Sequence, residues 1–271
     1  MDNLMLIAVL SMAGLSILFA SILAFADKKL RVNEDPRIVI VYKMLPHADC
    51  GACGHVNCHN FAEQIITQGE DPGKCPVMGE EAREKLFNFL GKEEGDKYPV
   101  IAIVHCAAET ENKKPVAEYS GIRTCRAAHL AFGGGMECEY GCMGFGDCTE
   151  VCPFDAIHMS KGLPRVDIKK CTGCGKCVEA CPRGIIQLAE KRYEQIFYVA
   201  CSSHDPILRV KQICPVGCIA CGVCEKLSPE GFFKVTDNLS RADFSKQGGK
   251  LEEIQIQTIA EKCPTKVIKE T

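Results

Sequence analysis

The sequence predicts an α+β protein in four parts. These are a single N-terminal membrane-spanning helix (1–27), a small helical domain built on four cysteines (34–91), an internally duplicated cysteine-rich α+β domain (98–190) and a degenerate second copy of that domain (191–271). Three observations carry this reading. The chain opens with an uncharged apolar run over residues 4–25. It has twenty cysteines and no tryptophan, and most of the cysteines fall in tight groups. One of those groups repeats within 138–182, and a weaker echo of it returns over 214–264.

The apolar run is long enough to cross a bilayer as one helix, which takes about 20 residues. A cleaved leader is the competing reading, because Ala24-Phe25-Ala26 resembles a small-residue cleavage site. However, the start, Met1-Asp2-Asn3, has no basic side chain, and the run exceeds a usual leader core. A retained anchor is therefore expected. Lys28, Lys29 and Arg31 follow at once, so the positive-inside rule puts the body of the protein on the cytoplasmic side of the cell membrane. Ser11, Ser16, Ser21 and Gly14 offer a small-residue face toward partner helices. Past a charged linker (33–36) the helical domain begins. Its cysteines, Cys50, Cys53, Cys58 and Cys75-Pro76, are spaced C-x2-C-x4-C-x16-C around a helix expected over 60–68. Four thiolates suit either zinc or an iron–sulfur cluster. With four sulfurs available, His55 and His59 are read as neighbours rather than ligands. An amphipathic helix over 78–90 turns Leu86, Phe87, Phe89 and Leu90 inward, and 91–97 is a linker.

Two apolar stretches, 99–106 and 195–201, read as buried strands, each ending on a cysteine (Cys106, Cys201) and each followed by a lone one (Cys125, Cys214). Between them lie Cys138, Cys142, Cys148 and Cys152-Pro153, then Cys171, Cys174, Cys177 and Cys181-Pro182. The second run matches C-x2-C-x2-C-x3-C-P letter for letter. That is the ligand pattern of bacterial two-cluster ferredoxins, in which the fourth cysteine binds the other cluster. Groups of thiols at this spacing favour metal over disulfides, and hence a reducing compartment. Aligning Cys138–Cys142 on Cys214–Cys218 sets Cys148 on Cys224, Cys152 on Ser228 and Phe145 on Cys221. The first copy thus lacks its middle cysteine, and Cys138 is the nearest substitute. The expected sets are Cys138, Cys142, Cys148 with Cys181, and Cys171, Cys174, Cys177 with Cys152. The tail keeps one set, Cys218, Cys221, Cys224 with Cys263; Ser228 and 245–249 stand where the other would be. Four [4Fe-4S] clusters follow, about sixteen irons. Cys106, Cys125, Cys201 and Cys214 are left over, either as further ligands or as buried thiols packing like small hydrophobes.

Gly173, Gly175 and Gly222 allow the cysteine loops to bend, and Pro153, Pro182 and Pro264 end them. Gly133-Gly134-Gly135 lacks a dinucleotide fingerprint and reads as a loop. Asn238-Leu239-Ser240 fits a glycosylation triplet but falls in a cytoplasmic domain. Strands near 157–159 and 185–188 are expected to form a pseudo-twofold βαβ core. No acid, base or nucleophile set is visible. The net charge of -3 argues against nucleic acid as a partner.

With these residues in order, the chain resembles the B subunit of the Rnf complex, a membrane-bound ferredoxin:NAD+ oxidoreductase. The likeness runs through the basic-edged N-terminal helix, the domain from Leu45-Pro46 to Cys75-Pro76, Tyr140-Gly141-Cys142 to Cys148, Cys152-Pro153-Phe154-Asp155-Ala156-Ile157, and the full ferredoxin motif. The resemblance implies an electron-transfer subunit fed by soluble ferredoxin, with membrane and NAD-binding subunits as partners and Na+ or H+ transport coupled to the flow. A membrane-anchored polyferredoxin serving an unrelated enzyme, or a zinc-rich structural protein, are the competing classes.

Overall fold

The structure is a computed structural model that describes residues 2–30, 35–93, 98–193, 195–228, 231–246 and 250–271. Helix α1 (Asp2–Leu30) has 29 residues, so at 1.5 Å per residue it reaches about 43 Å, past a bilayer's hydrocarbon thickness. Its large apolar side chains, among them Leu10, Ile17, Phe19 and Phe25, stand exposed on every side. Ser11, Ser16 and Ser21 donate their hydroxyls to the carbonyls of Ala8, Met12 and Ile17 in the same helix. Those hydroxyls therefore need no partner helix.

Part of the expected linker over 33–36 is instead a cap. Asp35 accepts from the backbone N–H of Arg37 at 2.9 Å, Pro36 takes the first helical position, and α2 (Pro36–Met44) follows. Residues 33 and 34 lie outside the described residues, as do 94–97 of the second linker. Helix α3 (Cys58–Thr67) is capped by Asn57 and is followed by α4 (Glu80–Leu90). Ile38, Val41, Phe61, Ile65 and Leu86 close a core of their own. Leu86 and Phe87 face inward as expected, whereas Phe89 is exposed: in a short helix the apolar stripe is narrower than the run of apolar letters.

The remainder is two copies of one plan. In the first, β1 (Val100–Val104) is followed by the short helices α5 (Cys125–Leu130) and α6 (Asp147–Glu150). The hairpin β2 (Ile157–Ser160)/β3 (Leu163–Val166), α7 (Lys176–Ala180) and β4 (Ile186–Glu190) complete it. In the second, β5 (Phe197–Val199), α8 (Ile207–Ile213) and α9 (Val223–Leu227) lead to the hairpin β6 (Phe233–Thr236)/β7 (Leu239–Ala242). Helix α10 (Lys250–Lys262) and β8 (Ile268–Glu270) end the chain. In both copies the first strand pairs antiparallel with the last: Val100 opposes Glu190 and Val104 opposes Ile186, while Phe197 opposes Glu270 and Val199 opposes Ile268. Both hairpins turn on two left-handed residues, Lys161-Gly162 and Asp237-Asn238, the geometry that matches the strand twist.

The βαβ expectation is thereby corrected. Strands 157–160 and 186–190 do not pair with each other: the first is held by its hairpin partner and the second by β1. A chain reversal of two residues pairs neighbours before a distant strand can compete, which leaves β4 free for β1. Each copy has its own apolar core, around Ile185, Ile186 and Leu163 in the first and around Phe197, Phe232 and Phe233 in the second, and Ile101, Ile103, Ala189 and Ile196 form a further core between them.

Phe61, 1% exposed, is the most deeply buried phenylalanine of the helical domain. Phe61→Ala is expected to destabilise that domain by about 3–5 kcal/mol, read as an earlier thermal transition of the anaerobic full chain with the later transition unmoved.

Candidate metal centres

Three of the expected cysteine groupings come together. In the first copy Cys171, Cys174 and Cys177 line one side of a hollow and Cys152, from the other motif, lines the opposite side. In the tail Cys218, Cys221 and Cys224 face Cys263 in the same way. In the helical domain Cys58 and Cys75 are buried in the domain core with Cys53 against them, and Cys50 and Cys53 both add to the upward shift that burial gives Cys75.

Local backbone chemistry places these sulfurs. Gly146, Gly175 and Gly222 each adopt the left-handed conformation immediately before α6, α7 and α9, which puts Cys148, Cys177 and Cys224 in the first helical turn. Gly173 is constrained more tightly: at φ 68° a Cβ there would lie 2.5 Å from the Val100 carbonyl oxygen of β1. Backbone N–H groups point at sulfur, Ala102 donating to Cys171 Sγ and Ala156 to Cys152 Sγ, each at 3.4 Å. In the helical domain Asp49 accepts from the Cys58 N–H at 2.7 Å, and Asn57 accepts from Asn60. His55 turns away to Glu70, 2.8 Å from its carboxylate, and stacks on Phe61. His59 packs edge-on against Tyr42.

The fourth grouping is corrected. The hollow lined by Cys142, Cys148 and Cys181 is completed by Cys125, while Cys138 lines a different hollow together with Cys106, Cys201 and Cys214. The physical reason is Asp147. Its carboxylate accepts from the backbone N–H of Cys125 at 2.6 Å and of Arg126 at 3.0 Å, which pins the start of α5 beside Cys148. Thr124 caps the same helix, accepting from Ala127. Cys138 instead sits in a turn directed toward the second copy. No spacing rule links residues 125 and 148; an Asp directly before a ligand cysteine and a Thr directly before a lone one are the only traces in the sequence. Ser228, which aligns with Cys152 of the first copy, accepts from the backbone N–H of Phe233 at 2.9 Å and so anchors β6. Of the neighbouring stretch 245–249, residues 247–249 lie outside the described residues, and Ser245 bonds Asp243.

Burial pushes the thiols of Cys142, Cys148 and Cys177 up to about 12, the surrounding cysteines adding to it. Such groups keep their protons unless a metal takes the proton's place. The neighbours reproduce the groupings: Cys142, Cys125 and Cys181 act on Cys148, and Cys171, Cys174 and Cys152 act on Cys177. Among the described residues no three Cys, His, Asp or Glu side chains close tightly enough to hold one metal ion. Each of these hollows is lined by four cysteines, the number of thiolates that a [4Fe-4S] cluster takes.

Comparison with known families follows the same divisions. The descriptions "Putative Fe-S cluster" and "4Fe-4S dicluster domain" match residues 45–77 and 137–186. A second "4Fe-4S dicluster domain" matches 170–232, and "4Fe-4S single cluster domain of Ferredoxin I" matches 215–270. The chain is 34% identical to the B subunit of the ion-translocating oxidoreductase complex of Methanosarcina acetivorans, over 91% of this chain and 93% of that one. It is 38% identical to the B subunit of the Na(+)-translocating ferredoxin:NAD(+) oxidoreductase complex of Acetobacterium woodii, over 99% and 78%. It is 36% identical to the proton-translocating counterpart from Clostridium ljungdahlii, over 98% and 92%. With its anchor helix, cysteine-lined hollows and near full-length likeness to these three, the chain belongs to the family of B subunits of Rnf-type ion-translocating oxidoreductase complexes.

Proposed function

We propose that the chain is the membrane-anchored electron relay of an ion-translocating ferredoxin:NAD+ oxidoreductase complex, receiving electrons from reduced soluble ferredoxin and passing them to the subunits that reduce NAD+. Support for the reaction comes from the relatives in Acetobacterium woodii and Clostridium ljungdahlii, named as Na(+)- and proton-translocating ferredoxin:NAD(+) oxidoreductase subunits. The observation that carries the relay is that the cysteine groups of the helical domain and of the two first-copy sites adjoin one another. Cys50 of the helical domain is close enough to Cys174 to add to the upward shift that burial gives it, and Cys177 acts likewise on Cys148.

Each [4Fe-4S] cluster, when bound, supplies a one-electron carrier whose potential responds to hydrogen bonds on its sulfurs and to exposure. The protein supplies the rest. We assign Cys50, Cys53, Cys58 and Cys75 to one site, Cys152, Cys171, Cys174 and Cys177 to the second, Cys125, Cys142, Cys148 and Cys181 to the third, and Cys218, Cys221, Cys224 and Cys263 to the tail. The exchange of Cys152 and Cys181 between motifs ties the two loops of the first copy together. Lys28 and Lys29 at the end of α1 support a cytoplasmic position for everything after the anchor. The apolar cores centred on Phe61, Ile185 and Phe232 support division of that body at 34–91, 98–190 and 191–271, with a fourth core of Ile101, Ile103, Ala189 and Ile196 joining the last two.

Three outcomes follow. Cys174→Ala in the assembled complex is expected to abolish ferredoxin-dependent NAD+ reduction in membrane vesicles while leaving the protein in the membrane; activity near wild type would remove this site from the path. Cys125→Ala should lower iron and acid-labile sulfide by about four per chain. Full iron in that variant would return Cys138 to the third site. Asp147→Ala releases two backbone N–H groups at the head of α5, a loss worth about 0.5–2 kcal/mol. It should speed iron loss to a chelator in step with bleaching of that site's absorbance, and Asp147→Asn should recover part of the effect.

A further inference from the structure

The fourth cysteine-lined hollow lies between the two copies. Cys106 follows β1 and Cys201 follows β5; Cys138 precedes the Cys142 loop and Cys214 precedes the Cys218 loop. The four are thus two matched pairs, one residue of each pair from each copy. Both strand ends are sewn together: His105 Nδ1 lies 2.8 Å from the Val199 carbonyl oxygen, and the Ser202 hydroxyl donates to the His105 carbonyl at 3.0 Å. The remaining two sit in the same turn, Cys-x-x-Gly-Cys. The Gly141 N–H donates to the Cys138 carbonyl at 3.4 Å and the Gly217 N–H to the Cys214 carbonyl at 3.3 Å. In both turns the two following backbone N–H groups are directed at sulfur, those of Tyr140 and Gly141 at Cys138 and those of Val216 and Gly217 at Cys214. Cys201 receives an N–H from Ser203 at 3.5 Å. Donors aimed at sulfur in this way surround the other sites too. Around the turns, Arg209 pairs with Glu137 at 3.1 Å and Tyr140 meets His204 edge-on, so both copies hold the hollow open.

Room is not limiting. The hollow is roomier than any of the three already assigned and opens partly to solvent. Four cysteines packing as small hydrophobes would close such a space rather than line it. Its position is also telling. Cys142, a residue of the third site, lines this hollow as well, and Cys201 shares an apolar core with Cys218 of the tail site. The other three hollows are each lined by cysteines of one copy.

We propose that Cys106, Cys138, Cys201 and Cys214 ligate a fifth [4Fe-4S] cluster that joins the two copies into one continuous relay. The proposal rests on the reading that the assigned hollows hold such clusters. On binding, each of the four S–H bonds breaks, its proton leaves to solvent and an Fe–S bond forms; a preformed [4Fe-4S]2+ core is taken up with no electron exchanged. In the resulting order the new site lies between the Cys142 site and the Cys218 site. All twenty cysteines are then used, four at a time.

Native mass spectrometry and iron and sulfide analysis of the anaerobically purified full chain test this. Wild type should carry about twenty irons and twenty sulfides. Cys106→Ala and Cys201→Ala should each hold about sixteen and keep the magnetically coupled reduced signal of the neighbouring second and third sites. Sixteen irons in wild type, or an unchanged count in both variants, overturns the fifth cluster while leaving the electron-relay function standing. Wild-type protein with zinc and no sulfide overturns both. If a variant is recovered unfolded, the wild-type mass alone decides between five clusters and four.

Discussion

The structure depends on one demand: four thiols from separate parts of the chain must meet around one buried pocket. Burial alone opposes the charged form, as the upward shifts at Cys142, Cys148, Cys177 and Cys201 record. Sulfurs kept in that position are of use only to a cationic group that replaces their protons. The small apolar cores, the short helices and the two-residue hairpin turns can be read as means of holding such quartets open. None of the described sheets has more than two strands. So small a sheet is marginal alone, and here each leans on a cysteine loop.

In the first copy the hollows cross between motifs. Cys152 lines the hollow of the Cys171 motif and Cys181 that of the Cys142 motif, so neither loop can separate without opening a hollow. The tail preserves the principle with one hollow removed. Ser228 bonds the strand that follows, while Cys263 lines one hollow with Cys218, Cys221 and Cys224.

Duplication also creates a surface that neither copy has alone. Strand ends β1 and β5 approach through His105 and Val199 and bring Cys106 beside Cys201. The repeated Cys-x-x-Gly-Cys turns supply the other two. An electron carrier gains from such a junction because a carrier at the seam shortens the gap between the two halves. The likeness between the copies thus serves as more than a relic of how the chain arose.

Much of this protein was written in its letters. The long apolar helix, the four-cysteine helical domain and the ferredoxin motif whose fourth cysteine lines the other hollow all follow from spacing and hydropathy. These are local properties, because a tight loop forces near neighbours together whatever the rest of the chain does. Residues 125 and 138 show where that reasoning stops. Both are lone cysteines, and proximity in sequence favoured Cys138 for the third site. The carboxylate of Asp147 instead draws Cys125 in, and the pairing of strands far apart in the chain gives Cys138 to the seam. The antiparallel partners of β1 and β5 likewise lie about seventy or more residues away, a separation over which chain-closure cost says little about which contact wins. Spacing settles which cysteines work in motifs and what kind of group suits them. The division of the lone cysteines waits on the fold, because it depends on distant backbone groups and on two copies meeting face to face.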